Sequence, residues 1–405
     1  MMSAKKAVQF HTINTIRQTL SEILLKGYHA DHMIDKYIRA NPKWSADERK
    51  FFVDTVYEIL RNKRFLSFLA ESEDLLLLVG AQLMMKGYQL PVRPEFARIS
   101  KEKINLNSQK NKSEAITYSV PDWLDQLGAK DFGSRWPALV KALIDEPKLY
   151  IRANLLKTTR DELMQNLKKE GFAINEKIKS VMPAPQALEV KDKKNVFSSL
   201  AYRQGHFEVQ DVGSQLIAEL MQIKPGMTAI DACAGSGGKT LQLASLMQNQ
   251  GEILAMDVKS NKLQDLKIRA DKAGCKIIKT ELIKSDRMIK NLSSKADRVL
   301  LDAPCSGLGV LKRNPDSKWK MSLEQVDELM RIQRHILLSY SQMCKVGGLV
   351  VYATCSLLKR ENENQIKWFF EQKNIQQQWQ LLSEHRIWPD ENSSDAFYAA
   401  VLKRI

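Results

Sequence analysis

Five cysteines in 405 residues, all after residue 230, are an odd number in a large chain and do not suit a disulfide framework; they read as reduced thiols. Two of them share a context. Cys305 stands in Asp302-Ala-Pro-Cys-Ser-Gly and Cys355 in Tyr352-Ala-Thr-Cys-Ser-Leu, each just past an apolar run that reads as a strand and each followed by serine. One such cysteine is most often a buried small hydrophobe. Two at neighbouring strand ends of a parallel sheet, where strands lie about 5 Å apart, place two potential thiolates in one crevice. Cys275 and Cys344 have no motif around them and read as packing residues.

A third chemical element is the run Asp231-Ala-Cys-Ala-Gly-Ser-Gly-Gly-Lys-Thr240, a glycine-rich turn between a strand and a helix that lets backbone approach a ligand closely. A phosphate-binding loop requires glycine where Cys233 stands, and a dinucleotide fingerprint requires glycine where Thr240 stands. An adenosyl cofactor without a pyrophosphate fits better, because Asp257 ends the next strand, where a carboxylate accepts hydrogen bonds from ribose hydroxyls. No pair of Cys or His has finger-like spacing with a second pair, so no metal is expected; His29 and His32, three apart on an expected helix, read as surface.

The elements that must position these groups follow from periodicity. Thr228–Asp231, Glu252–Asp257, Asp297–Asp302 and Gly348–Thr354 are short apolar strands, separated by helical stretches such as Thr240–Gln248 and Ser260–Ala273, and Ala396–Leu402 is a last strand. That alternation predicts an α/β fold with a doubly wound parallel sheet. Ahead of it, residues 146–210 alternate strand and helix signals: Tyr150–Thr159, an amphipathic helix ending at Gly171, alternation again over Phe172–Val181, and a turn at Pro183 and Pro185. This predicts a small mixed α/β module. Residues 1–145 read as helical: Ile13, Ile16, Leu20, Ile23 and Leu24 share a face, and Ser45 with Glu48 forms a capping box before Phe52, Val56, Ile59, Leu60 and Leu66. Leu75–Val79 predicts a helix buried on most sides, residues 100–114 predict an exposed loop, and Trp123 to Leu143 predict further helices.

Composition bounds the partners. With 44% hydrophobic and 27% charged residues the chain is an ordinary globular one, and its longest apolar stretch, Leu75–Met85, falls well short of the ~20 residues a membrane span needs. The beginning lacks an apolar signal core, so a cytoplasmic protein without membrane attachment is expected. The formal charge of +15 favours a polyanion as partner, but the excess is spread over all three segments and locates no binding face.

Taken together, DACAGSGGKT, Asp257, DAPCSG, YATCS and the closing DAFYAAVLK, in this order over roughly residues 145–405, resemble the Sun/nucleolar-protein (NOL/NOP/Sun) family of RNA cytosine-C5 methyltransferases. The helical beginning resembles the NusB-type RNA-binding domain of the bacterial ribosomal-RNA members. The resemblance implies a NusB-like domain at 1–145, an RNA-binding α/β module at 146–210 and a Rossmann-like S-adenosylmethionine-dependent methyltransferase domain at 211–405. It implies Cys355 as nucleophile, Cys305 as the residue promoting elimination, Asp302 as the group touching the base and Lys239 as the group orienting Asp302. Cofactor contacts are implied for Cys233, Ala234, Gly235, Ser236, Gly237, Gly238 and Lys239 along the turn, for Asp257 at the ribose, for Asp286 near the adenine and for Asp302. Ser236 departs from the proline of many members, which predicts a change of loop rigidity.

Two cysteines suit that chemistry. Carbon 5 of cytosine is a poor nucleophile until a thiolate adds to carbon 6, and the adduct is resolved only when the carbon-5 proton leaves. The implied substrate is ribosomal RNA of the small subunit, and the implied state is a monomer. Transfer RNA as substrate, a DNA cytosine methyltransferase and a non-catalytic ribosome-assembly protein remain open on the residues alone. Tyr202, Phe207 and Trp319 are candidate base-stacking aromatics, with packing as the alternative.

Overall fold

Seven strand segments of the C-terminal half pair into one sheet, in the order Trp379–Ile387, Phe397–Arg404, Cys344–Thr354, Ala296–Asp302, Thr228–Asp231, Glu252–Asp257, Ile278–Leu282. The pairings from Cys344–Thr354 to Ile278–Leu282 are parallel, and Phe397–Arg404 is antiparallel to both its neighbours. The computed structural model describes residues 5–178, 183–192, 194–392 and 394–405. From Thr228–Asp231 the chain winds outward to Ile278–Leu282, then returns to Ala296–Asp302 on the other side of its starting strand. The order therefore reverses between Thr228–Asp231 and Ala296–Asp302, and ligands of open α/β sheets bind at the crevice beyond such a reversal. The doubly wound α/β fold expected from the alternation is the one observed.

Two strands escaped the periodicity. Ile278–Leu282 and Trp379–Ile387 are the sheet's edges; exposed positions interrupt the more buried ones along both and are filled largely by polar residues, so neither forms the apolar run of a central strand. Of the alternation expected over Phe172–Val181, only Ile174–Asn175 pairs, and Lys179–Val181 lie outside the described residues.

The chain divides into two compact units, Met1–Asp145 with Leu311–Ser322, and Glu146–Val310 with Leu323–Ile405. In the second unit a four-stranded antiparallel sheet, ordered Ile174–Asn175, Ala187–Val190, Leu149–Ala153, Phe207–Val209, packs Ile151, Leu163, Leu167, Leu188 and Phe207 into its own core. Phe207 is fully buried there, which removes it as a stacking surface.

The first unit is helical, with Ile13, Ile16, Leu20, Phe52, Val56, Ile59 and Leu78 in its core. The capping box at Ser45 and Glu48 forms, starting the helix Ala46–Ala70. The stretch expected as a loop over 100–114 instead contains the helix Lys101–Gln109: Ser100 caps it, Ile104 is buried, and Asn107 Nδ2 donates to Leu69 O at 2.8 Å. One apolar side chain and one paired amide seat a helix that hydrophobic counting passes over.

Helix Ala46–Ala70 breaks at Asn62, whose φ of −112° and ψ of 17° are not helical. Side chains meet several of the freed groups. Arg64 N–H donates to Ser119 Oγ at 2.8 Å, while Leu60 O accepts from Trp319 Nε1 at 2.6 Å and Arg61 O from Lys318 Nζ at 2.7 Å. Trp319 is thus a cap on a broken helix, its indole N–H already engaged. Among the described residues no helix is long and apolar enough to cross a membrane.

Candidate active site

Register brings the two Cys-Ser steps together. Asp302 stands opposite Ala353 in the parallel pairing of Ala296–Asp302 with Cys344–Thr354, and Ala303 N–H closes the ladder on Ala353 O at 2.8 Å. Beyond it the chains part and meet again where Gly309 N–H donates to Cys355 O at 2.9 Å. Any Cβ at Gly309 would lie 2.7 Å from that same carbonyl oxygen, so the close approach requires glycine. Between these two anchors Cys305 Sγ and Cys355 Sγ come within 3.4 Å of one another. The hydrogen bond to Cys355, burial and the neighbouring negative charge push the Cys305 thiol well above its ordinary range. Cys305 therefore holds its proton, and either sulfur of the pair can act as donor.

Across the reversal point, Lys239 Nζ donates to Asp302 Oδ2 at 2.6 Å, with only 10% of the lysine side chain exposed. Burial alone would lower the lysine, but the charge and hydrogen bond of Asp302 outweigh it and raise it, with Cys355 contributing in the same direction. Lys239 is thus a cation fixed on Asp302 and within electrostatic reach of Cys355. Asp231 ends its strand fully buried; burial pushes its carboxyl up to about 7, against the opposing hydrogen bond from Thr240 Oγ1 at 2.7 Å.

The glycine turn is built for close approach. Gly235, at φ +52°, has open space on the side where a Cβ would point, and Gly237, at φ +86°, would drive a Cβ to 2.6 Å from Leu266. Ala234 N–H donates to Met256 O at 2.9 Å, which ties the turn to the neighbouring strand. Asp257 accepts from Gly235 N–H through Oδ2 and from Lys259 N–H through Oδ1, both at 2.8 Å; each oxygen keeps a further lone pair. Ser236 is held from both sides, its carbonyl by Arg269 at 2.6 Å and its hydroxyl donating to Asp265 at 3.4 Å. Burial keeps the Cys233 thiol protonated.

Asp286 sits in the first turn of the helix Asp286–Asn291, where the N-cap position belongs to Ser285. Its side chain is 62% exposed and pairs with His335 Nε2 at 3.1 Å. Ile283 N–H bonds to Asp257 O at 2.9 Å, so the loop leading to Asp286 leaves from the sheet edge that carries Asp257. Among the described residues no group of three or more His, Cys, Asp or Glu could hold a metal ion.

Two residues with roles at this site were not read from the sequence. Arg152, buried in the four-stranded module, donates to Gly238 O at 2.8 Å and to Gln210, and burial lowers it to about 10. It clamps the glycine turn from outside. Glu361, wholly buried, links the segments after both cysteines. Nothing in YIRAN or KRENEN marks either residue, although the serines that follow the two cysteines are the visible half of the Glu361 contact.

A reversal-point crevice with a glycine turn, an acidic residue ending the next strand and a buried Lys–Asp pair defines a Rossmann-like methyltransferase. Residues 218–403 match the family model described as 16S rRNA methyltransferase RsmB/F, and residues 120–196 match the ferredoxin-like domain described for RsmF/B-like methyltransferases. The ribosomal RNA small subunit methyltransferase B of Shewanella oneidensis is 30% identical over 79% of this chain and 74% of its own length. A "Probable ribosomal RNA small subunit methyltransferase B" of Synechocystis is 29% identical over 95% of this chain and 97% of its own. In structure, the protein PH0851 superposes with a TM-score of 0.80 at 23% identity, over 96% of this chain and 98% of that one. NSun6 from Pyrococcus horikoshii, solved with SFG, gives 0.62 at 23% identity over 70% of this chain and 98% of its own. The chain belongs to the RsmB/F family of 16S rRNA methyltransferases, in agreement with the resemblance carried by its motifs.

Proposed function

We propose that this protein methylates carbon 5 of a cytosine in small-subunit ribosomal RNA, with Cys355 as the attacking thiolate. The observation that carries the reading is the 3.4 Å approach of the Cys305 and Cys355 sulfurs beside the Lys239–Asp302 pair. The cofactor is S-adenosylmethionine, which supplies an electrophilic methyl group when bound. The residues fit it: open backbone at Gly235 and Gly238, lone pairs on Asp257 facing the turn, and threonine at 240 where a pyrophosphate site has its third glycine. Cys233 to Lys239, Asp257, Asp286 and Asp302 are the proposed contacts.

The chain's own groups divide the work. Cys355 adds to carbon 6; Asp302, which Lys239 holds in place, contacts the base as an acceptor, and the Lys239 ammonium offsets the electron density displaced onto the ring. Cys305, whose thiol holds its proton, donates that proton to the Cys355 sulfur as that sulfur departs, and the Cys305 thiolate so formed accepts the proton released from carbon 5. Both cysteines end as thiols and the ring double bond is restored. The helical unit and the four-stranded module serve in this reading to hold the RNA, with the protein acting as a monomer in the cytoplasm.

The test is transfer of labelled methyl to unmethylated 16S rRNA, with bisulfite mapping of the product. Methylation at one cytosine that disappears in Cys355→Ala is expected. Product methylated on another base or atom, or an active Cys355→Ala variant, overturns the reading.

A further inference from the structure

The sulfur–sulfur approach is not set by the strands alone, because the ladder between them ends at Ala303 and resumes only at Gly309. What fills the gap is a carboxylate. Glu361 has no exposed surface, and four hydrogen bonds converge on its two oxygens. Oε1 accepts from Ser306 N–H at 2.8 Å and from Gln333 Nε2 at 3.0 Å; Oε2 accepts from Ser306 Oγ and from Ser356 Oγ, each at 2.5 Å. The same Gln333 amide also donates to Pro304 O at 3.0 Å, immediately before Cys305. Tyr352 OH donates to the Glu361 carbonyl at 2.8 Å. Ser306 and Ser356 are the residues that follow the two cysteines.

No cation pairs with Glu361 among the described residues, so its charge is stabilised by hydrogen bonds alone. That is an expensive burial unless every lone pair is met. Apolar residues of similar volume would hold a sheet edge together at lower cost, so packing gives no account of a carboxylate here. Ordered charge-assisted bonds fix direction as well as distance, which packing does not.

We propose that Glu361 is a positioning residue, gripping both following serines so that the sulfurs of Cys305 and Cys355 face one another at reacting distance. The inference rests on the reading of these cysteines given above and adds to it the group that aligns them. Glu361 touches neither sulfur and acts through Ser306 and Ser356. Its negative charge also helps to hold the proton on Cys305.

Glu361→Gln keeps the shape, removes the charge and sets an amide donor against donors; Ser356→Ala removes one of the four bonds and leaves the rest. Two measurements on the full chain separate alignment from folding and from the methylation chemistry. In the first, without RNA, diamide takes two electrons and two protons from the thiol pair. A Cys305–Cys355 disulfide then forms and is read by peptide mass spectrometry, since 3.4 Å needs little motion to reach a bond. Closure in Glu361→Gln is expected to slow by about tenfold or more, with Ser356→Ala in between, in variants that still melt cooperatively. In the second, methyl transfer to 16S rRNA is expected to lose kcat by about tenfold to a hundredfold while KM for S-adenosylmethionine stays within about twofold.

A folded Glu361→Gln variant that closes the disulfide and turns over like wild type overturns the proposal. If that variant does not fold, Ser356→Ala decides by the same two criteria. Wild-type protein that transfers no methyl to cytosine defeats the methylation reading instead, and the disulfide measurement then judges the alignment by itself.

Discussion

Replacing Cys305 by alanine separates attack from release. The side chain is only partly buried and its contact with Cys355 is sulfur to sulfur at 3.4 Å, so the loss to folding is that of one weak hydrogen bond, about 1 kcal/mol or less. Attack by Cys355 loses the same donor and slows by about fivefold at most. Release is different, because the variant has lost the group that protonates the departing sulfur and takes the carbon-5 proton. A positioned acid–base group contributes about 10²- to 10⁴-fold, so release becomes slower than attack and the covalent species accumulates. The assay is denaturing electrophoresis of end-labelled 16S rRNA after incubation with the variant and S-adenosylmethionine. A protein-linked band is expected in Cys305→Ala and absent from the Cys305→Ala, Cys355→Ala double variant. Free methylated RNA formed at the wild-type rate, with no band, would refute the division of roles between the two cysteines.

Lys239→Met strands the partly buried Asp302 carboxylate, and a double-mutant cycle with Asp302→Asn, read by thermal or urea unfolding, is expected to give a coupling of about 2 kcal/mol; a coupling near zero would mean the pair is decorative. Asp231 has a folded-state pKa of about 7 against an ordinary 3.8, so the native protein holds this proton more tightly than the unfolded chain. Stability on its account is therefore greatest at low pH and falls as pH rises from about 4 to about 7, by an upper bound of order 4 kcal/mol, and Asp231→Asn is expected to flatten that limb of a pH–stability curve. An unchanged slope would place the carboxylate in contact with water. Trp319→Phe leaves Leu60 O without its 2.6 Å donor at the helix break and is expected to destabilise the protein by about 1–2 kcal/mol in urea unfolding, a loss that vanishes if water replaces the indole.

The parts of this molecule legible in its sequence are those that repeat a period or break it. Central strands of a doubly wound sheet are buried on both faces and appear as apolar runs, so the strands ending at Asp231, Asp257, Asp302 and Thr354 were readable, and with them the sheet edge where chemistry collects. Edge strands dilute that signal: WQLLSEHRI carries five polar residues in nine, because exposed positions interrupt its more buried ones. What the sequence could not show are partners at long range. Glu361 lies in a charged run that suggests a surface, and only folding brings Ser306, 55 residues earlier, onto its oxygens. Likewise Arg152 reads as one basic residue in a strand until Gly238 O, 86 residues on, arrives beside it. The Asn62 break is similar, since its carbonyls are satisfied by side chains more than 250 residues away.

The placement of charge in the crevice follows from there being one cation and two carboxylates at the reversal point. The short ion pair of Lys239 is with Asp302, whose Oδ2 lies 2.6 Å from its Nζ. Asp231, on the adjacent strand, is met by the Thr240 hydroxyl and, more weakly, by the charge of Lys239 and the Cys233 backbone, while burial and the repulsion of Asp302 act against its charge. The two aspartates are thereby pushed apart in function despite ending neighbouring strands. Asp302 has its charge balanced by Lys239, and in the proposed mechanism that ammonium, not the carboxylate, offsets the electron density gained by the ring. Asp231, its carboxyl pushed up to about 7, anchors the glycine turn through Thr240, one residue beyond the lysine. Exchanging the two partners would place an uncompensated charge beneath the turn and leave the base-facing position without its balanced carboxylate.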